Sequence, residues 1–110
     1  MRYKRNIGIY GENFAERILI ERGYDILERN FRGRHGEIDI VARKGSCLHF
    51  IEVKTRYGDE CGYPAESVDD VKIDRIKAAA EEFIRIRRPG WRDISFDVFE
   101  IQANILEDVI

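Results

Sequence analysis

Two short runs constrain this chain most. Glu37-Ile38-Asp39-Ile40-Val41-Ala42 and Leu48-His49-Phe50-Ile51-Glu52-Val53 are rich in β-branched and aromatic residues, alternate roughly, and are separated by the turn-forming Lys44-Gly45-Ser46-Cys47, which predicts a β-hairpin. With Gly45 and Ser46 as the central residues of a II′ turn, Lys44 pairs with Cys47 and Val41 falls opposite Phe50. The same register sets Asp39 opposite Glu52 and Glu37 opposite Lys54. Because strand side chains alternate, all four are expected on one face of the sheet.

Strands otherwise suited to burial do not carry such charges without compensation. Two facing carboxylates repel, and a cation between them removes the conflict. Hard oxygen donors suit Mg²⁺ or Mn²⁺, and Mg²⁺ takes one or two protein carboxylates while keeping waters and phosphate oxygens. An ion of this kind acidifies water and neutralises charge growing on a phosphate, the two difficult parts of phosphodiester hydrolysis. Asp39 and Glu52 are therefore candidate metal ligands, and Lys54, two residues after Glu52, is a candidate catalytic residue. Neighbouring carboxylates keep Lys54 protonated, which favours electrostatic stabilisation and water positioning over a general-base role; a bound cation works against that preference. The competing reading is an ion-pair ladder on the wet face of an antiparallel sheet, each cross-strand pair contributing about 0.2 to 1 kcal/mol. The like-charge pair and the apolar residues around it weigh against that reading.

The rest of the chain supplies the frame. Phe14, Ala15, Ile18 and Leu19 recur at helical spacing between Gly11 and Arg22, with Gly23 as the stop. A strand is predicted over Tyr24 to Phe31, ending in the turn-prone Arg32-Gly33-Arg34-His35-Gly36. Arg56 to Asp69, with Gly58, Gly62 and Pro64, reads as a long functional or mobile loop. Helical spacing returns from Asp70 to Arg88 through Ile73, Ile76, Ala80, Phe83 and Ile84, and Pro89-Gly90 terminates it. Ile94 to Ile101 alternates as a last strand, Phe96 and Val98 facing one side and Phe99 and Ile101 the other. The order αβββαβ predicts an α/β fold, a mixed central β-sheet flanked by helices, in which only the crossover through the second helix can return a parallel strand. A length of 110 residues fits one domain, 1–110.

Composition narrows the function classes. Hydrophobic residues at 44% and charged residues at 36% exclude the signature of disorder. No apolar stretch approaches the roughly 20 residues of a membrane span, and the start lacks the apolar run of a signal peptide, so a cytoplasmic address is expected. The net charge of −2 gives no global basic footprint. Basic residues nevertheless gather in Arg2/Lys4/Arg5, Arg29/Arg32/Arg34 and Arg85/Arg87/Arg88/Arg92, and acids in Asp59, Glu60, Glu66, Asp69 and Asp70. A basic rim around an acidic centre and ordinary solvated charge both fit this pattern. Cys47 and Cys61 form neither a disulfide framework nor a metal-binding spacing.

Gly36-Glu37-Ile38-Asp39-Ile40-Val41-Ala42 followed by Phe50-Ile51-Glu52-Val53-Lys54-Thr55-Arg56 resembles the YraN-type bacterial family. That family is similar to the archaeal Holliday junction resolvases and the wider restriction-endonuclease-like PD-(D/E)XK superfamily. The likeness extends through Gly11-Glu12-Asn13-Phe14-Ala15-Glu16, Pro64-Ala65-Glu66-Ser67-Val68, Lys72-Ile73-Asp74-Arg75-Ile76 and Phe96-Asp97-Val98. The resemblance implies a restriction-endonuclease-like fold in which Asp39, Glu52 and the Val53 carbonyl hold the metal and Lys54 is the superfamily lysine. It also implies that Glu12 completes the site through water, the plainer reading being a helix acid favoured by the macrodipole. Glu37 is a further acid of the site, with Lys54 as its expected partner. Lys72 and Arg75 either approach a phosphate or contact the acids before them; with Arg34 and Arg56 they are the candidate nucleic-acid contacts. Asp97 is expected to be a paired hydrogen-bonding acid rather than a ligand, and His35 and His49 are minor candidates. The chain departs from the superfamily pattern in carrying Ile38 where the motif has proline.

These observations lead to the expectation of a metal-dependent endonuclease acting on DNA, with branched, Holliday junction-like DNA suggested by the resemblance and a homodimer by the symmetry of junction cutting. The alternative is a catalytically silent nucleic-acid-binding or partner-binding module of the same fold, and a purely structural protein is the third possibility.

Overall fold

The computed structural model describes residues 2–57 and 69–103. Its elements are α1 (Arg2–Glu21), β1 (Asp25–Arg32), β2 (Glu37–Lys44), β3 (Cys47–Tyr57), α2 (Asp70–Arg87) and β4 (Asp93–Ala103). Expectations that concern the side chains of Arg2, Lys4 and Arg5, or Cys61, the acids Asp59, Glu60 and Glu66, and the Pro64–Val68 segment, lie outside the described residues.

The four strands form one sheet in the order β1-β2-β3-β4. β1 pairs with β2 and β2 with β3 antiparallel, while β3 and β4 run parallel, joined through the crossover that contains α2. This is the mixed sheet flanked by helices, in the order αβββαβ, that the periodicities predict, and it is compatible with a nuclease-like fold. One boundary differs: α1 begins at Arg2, nine residues before the predicted Gly11. Gly23, with φ of 89°, ends that helix in the left-handed conformation open to glycine.

The hairpin turn is as predicted. Gly45 has φ of 61° and Ser46 has no positive φ, as a II′ turn requires, and Lys44 pairs with Cys47 and Val41 with Phe50. The cross-strand pairing then stops at Ile40 and Ile51, before the acids. Glu37 therefore does not face Lys54. It pairs instead with Arg32 on β1, whose Nε lies 3.5 Å from its Oε2, because β2 continues alongside β1 after it has parted from β3.

Two apolar clusters sandwich the sheet. On the α2 side Phe31, Ile38, Val41, Leu48 and Phe50 meet Ala79, Ala80 and Phe83; on the α1 side Ile40, Ala42 and Ile51 meet Ala15 and Leu19. Ile38 and Ile40 thus pack on opposite sides although two residues apart. Strict alternation is broken at Asp39, opposite Asn30, whose φ of 53° kinks β1 at the same level. Asparagine is among the few side chains that tolerate that conformation. On β4, Phe96 stacks on Phe50 on the α2 side and Phe99 joins the α1 cluster, as the alternation predicts.

Candidate active site

Asp39 lies where β2 leaves β3. Its side chain takes over from the ladder: Oδ2 accepts a hydrogen bond from the Val53 amide at 2.8 Å. This ties the carboxylate to the strand that carries Glu52 and Lys54. Burial pushes the Asp39 carboxyl up to about 6, against the opposing Val53 hydrogen bond, and the nearby Glu52, Glu12 and Glu37 carboxylates push it further in the same direction. Three acids thus act on Asp39 at the end of β2: Glu37 and Glu52 from the strands and Glu12 from α1.

Glu52 is held by a cation from the other layer. Lys72 Nζ, in the first turn of α2, lies 2.6 Å from Glu52 Oε1. Glu12 approaches from α1, where Arg29 of β1 lies 3.7 Å from it and also binds Glu16 and Asn13. Lys54 is half-buried on β3, two residues beyond Glu52 and on the same side by strand alternation.

Asp39, Glu52 and Glu37 line a cleft of about 860 Å³ between the β1–β2 turn and the start of α2, together with Arg32, Arg34, His35, Lys72 and Arg75. The turn is seated on α2 by close contacts. The Arg34 amide donates to Glu82 Oε2 at 2.8 Å, and a side chain at Gly36 would meet the Arg75 carbonyl oxygen at 2.5 Å. The predicted basic contacts therefore divide: Arg34, Lys72 and Arg75 line the cleft, whereas Arg56 pairs with Glu100 on β4. On α1, Gly11 packs directly against the Thr55 side chain, which brings the Glu12 turn down onto β3.

Among the described residues, no group of three or more His, Cys, Asp or Glu side chains is gathered tightly enough to hold a metal ion. The pair Asp39 and Glu52 nevertheless fits an ion that takes one or two protein carboxylates and fills its remaining positions with water. A lysine ammonium already sits on one of these two carboxylates, so Glu52 takes a positively charged partner in this cleft. The backbone of Val53, the further ligand implied by the resemblance, is alongside Asp39 through its amide.

Asp97 and Cys47 stand apart from this chemistry. Asp97 accepts from Ser95 Oγ at 2.7 Å and lies 2.6 Å from His49 Nδ1, the paired acid that the sequence predicts. Burial and the nearby Asp93 and Asp97 push the Cys47 thiol up, away from the thiolate a nucleophile needs. Arg32, expected in a basic run, and His35, a minor candidate, both line the cleft. The sequence reading missed two features, the Asp39–Val53 bond and the Lys72–Glu52 pair. Only the last left a local signal, a lysine three residues after the cap Asp69, where a capping box carries Glu or Gln.

The pattern of the uncharacterised protein family UPF0102 matches residues 11–101. A UPF0102 protein of Dictyoglomus thermophilum is 47% identical over 97 residues, 88% of this chain and 82% of the relative. One of Clostridium perfringens is 44% identical over 104 residues, 94% of this chain and 85% of the relative. A third, of Rhodococcus opacus, is 43% identical over 104 residues, 94% of this chain and 88% of the relative. By both measures the chain belongs to the UPF0102, YraN-type, family.

Proposed function

We propose that this protein is a metal-dependent endonuclease that hydrolyses phosphodiester bonds of DNA, with Asp39 and Glu52 holding Mg²⁺ or Mn²⁺. The observation that carries the reading is the placement of Asp39 and Glu52 in one cleft with Arg32, Arg34, Lys72 and Arg75. A carboxyl driven to about 6 by burial and by three other acids is a poor structural element and a ready site for a divalent cation. The setting supports it, since Asp39, Glu37 and Glu52 line a cleft walled by Arg32, Arg34 and Arg75, side chains suited to a phosphate backbone.

The bound ion would supply charge neutralisation at the phosphate and a more acidic water. The chain's own residues do the rest. Asp39 is aimed by its bond to the Val53 amide, and Glu52 is fixed two residues before Lys54 on the same strand. Lys54 adds positive charge beside the scissile phosphate, and Glu12 accepts a hydrogen bond from water on the α1 side. Arg34 and Arg75 hold flanking phosphates. Branched DNA is the substrate suggested by the family resemblance, and symmetric cutting of a junction would require a twofold dimer.

The test is cleavage of four-way junction, duplex and single-stranded DNA with Mg²⁺, with Mn²⁺ and with chelator. Wild-type protein is expected to cut with either ion and not with chelator, and Asp39→Ala to lose activity by a factor of at least about 100. Equal product from the variant and wild type removes the proposal. A second reading, a silent nucleic-acid-binding module, draws on the Lys72 ammonium seated on Glu52. It predicts DNA association that weakens steeply with salt and no cleavage in any divalent ion.

A further inference from the structure

Lys72 stands where its own helix does not favour it. Asp69 caps α2, its side chain accepting from the Lys72 amide at 2.8 Å, which places Lys72 in the first turn. That end of a helix is electropositive, and a cation there is disfavoured. What compensates Lys72 is the carboxylate across the cleft: Glu52 is 16% exposed, and Lys72 reaches it at 2.6 Å while remaining 39% exposed.

We infer that Lys72 is the built-in counterion of the site: its ammonium and the divalent ion compete for Glu52, and Lys72, once displaced, moves to a phosphate of the nucleic acid, so that metal and nucleic acid bind cooperatively. The inference rests on the metal-site reading above. An ammonium on Glu52 and a divalent ion between Glu52 and Asp39 repel at contact distance, so Lys72 yields the carboxylate when the ion is taken up. Displaced, it stays next to the positive end of α2 and needs an anion. It lines the same wall as Arg34 and Arg75, and a phosphate in that cleft is the anion within reach. Coupling of this kind is reciprocal, so nucleic acid tightens metal binding by the same factor.

Mn²⁺ titration by calorimetry on wild type, Lys72→Gln and Lys72→Arg tests the first half. Lys72→Gln is expected to bind Mn²⁺ roughly three- to tenfold more tightly than wild type, with Lys72→Arg close to wild type. DNA binding to a short duplex at several salt concentrations tests the second half. With saturating Ca²⁺, the slope of log affinity against log salt should be smaller by about 1 in Lys72→Gln, and with chelator it should not change. If wild type takes up metal and Lys72→Gln binds it no more tightly, the counterion role is overturned and the metal-site reading stands. If the salt slopes coincide with Ca²⁺ present, transfer of Lys72 to a phosphate is overturned. Wild type that takes up no divalent ion overturns both this inference and the site itself.

Discussion

Asp39 gains nothing for the fold from its charge. A carboxyl raised to about 6 binds a proton more readily in the folded chain than in the unfolded one, so its stability contribution is present below the ordinary value of 3.8 and is lost as pH rises through 6. Asp39→Asn keeps an oxygen for the Val53 amide and removes the charge. It is expected to raise stability at pH 7.5 in chelator by on the order of 1 to 2 kcal/mol after allowance for solvent screening, with the gain vanishing near pH 4. Urea denaturation at the two pH values checks this. The same titration governs metal uptake, because the ion needs the ionised carboxylate: Mn²⁺ affinity should be flat above pH 7 and fall roughly tenfold per pH unit below 6. Calorimetry across that range is the measurement, and a pH-independent affinity would separate Asp39 from the ion. The identity of these residues was legible in the sequence because an acid in an apolar strand is conspicuous wherever it lies. Their partners were not: Glu37 turned to Arg32 and Glu52 to Lys72, contacts set by where β2 parts from β3 and where α2 crosses.

At the scale of elements, the site depends on a turn pressed against a helix. The segment Gly33 to Gly36 closes on itself through the Gly33 amide and the Gly36 carbonyl at 2.8 Å, and its seat on α2 leaves no room at Gly36. The obstacle there is the backbone of Arg75, which cannot swing aside. Gly36→Ala is therefore expected to cost about 1 to 3 kcal/mol in thermal or urea denaturation and to loosen the cleft wall that carries Arg34. The hairpin and both helices were readable because their signals are local: the turn at Gly45, the spacing of Ile73, Ile76, Ala80 and Phe83, and the stop at Gly23. The break at Asp39 was not, since alternation assumes a regular strand. The side switch between Ile38 and Ile40 arises from the kink at Asn30 and from a ladder that ends early.

Across the whole molecule, the sheet brings together charges that the net value of −2 conceals. α1 delivers Glu12 from one layer, α2 delivers Lys72 and Arg75 from the other, and the strands between them carry Asp39 and Glu52. The result is an acidic centre edged by Arg32, Arg34, Lys72 and Arg75. Among the described residues of the basic runs in the sequence only Arg32 and Arg34 take part, while Arg85 and Arg87 pair with Glu82 and Glu28. The most direct test is a crystal of the protein soaked in Mn²⁺, with anomalous density located at the manganese edge. A divalent-ion site here predicts a peak between the Asp39 and Glu52 carboxylates, with the Lys72 ammonium drawn back from Glu52. No peak at that position, with Lys72 still on Glu52 in a fully soaked crystal, would contradict it.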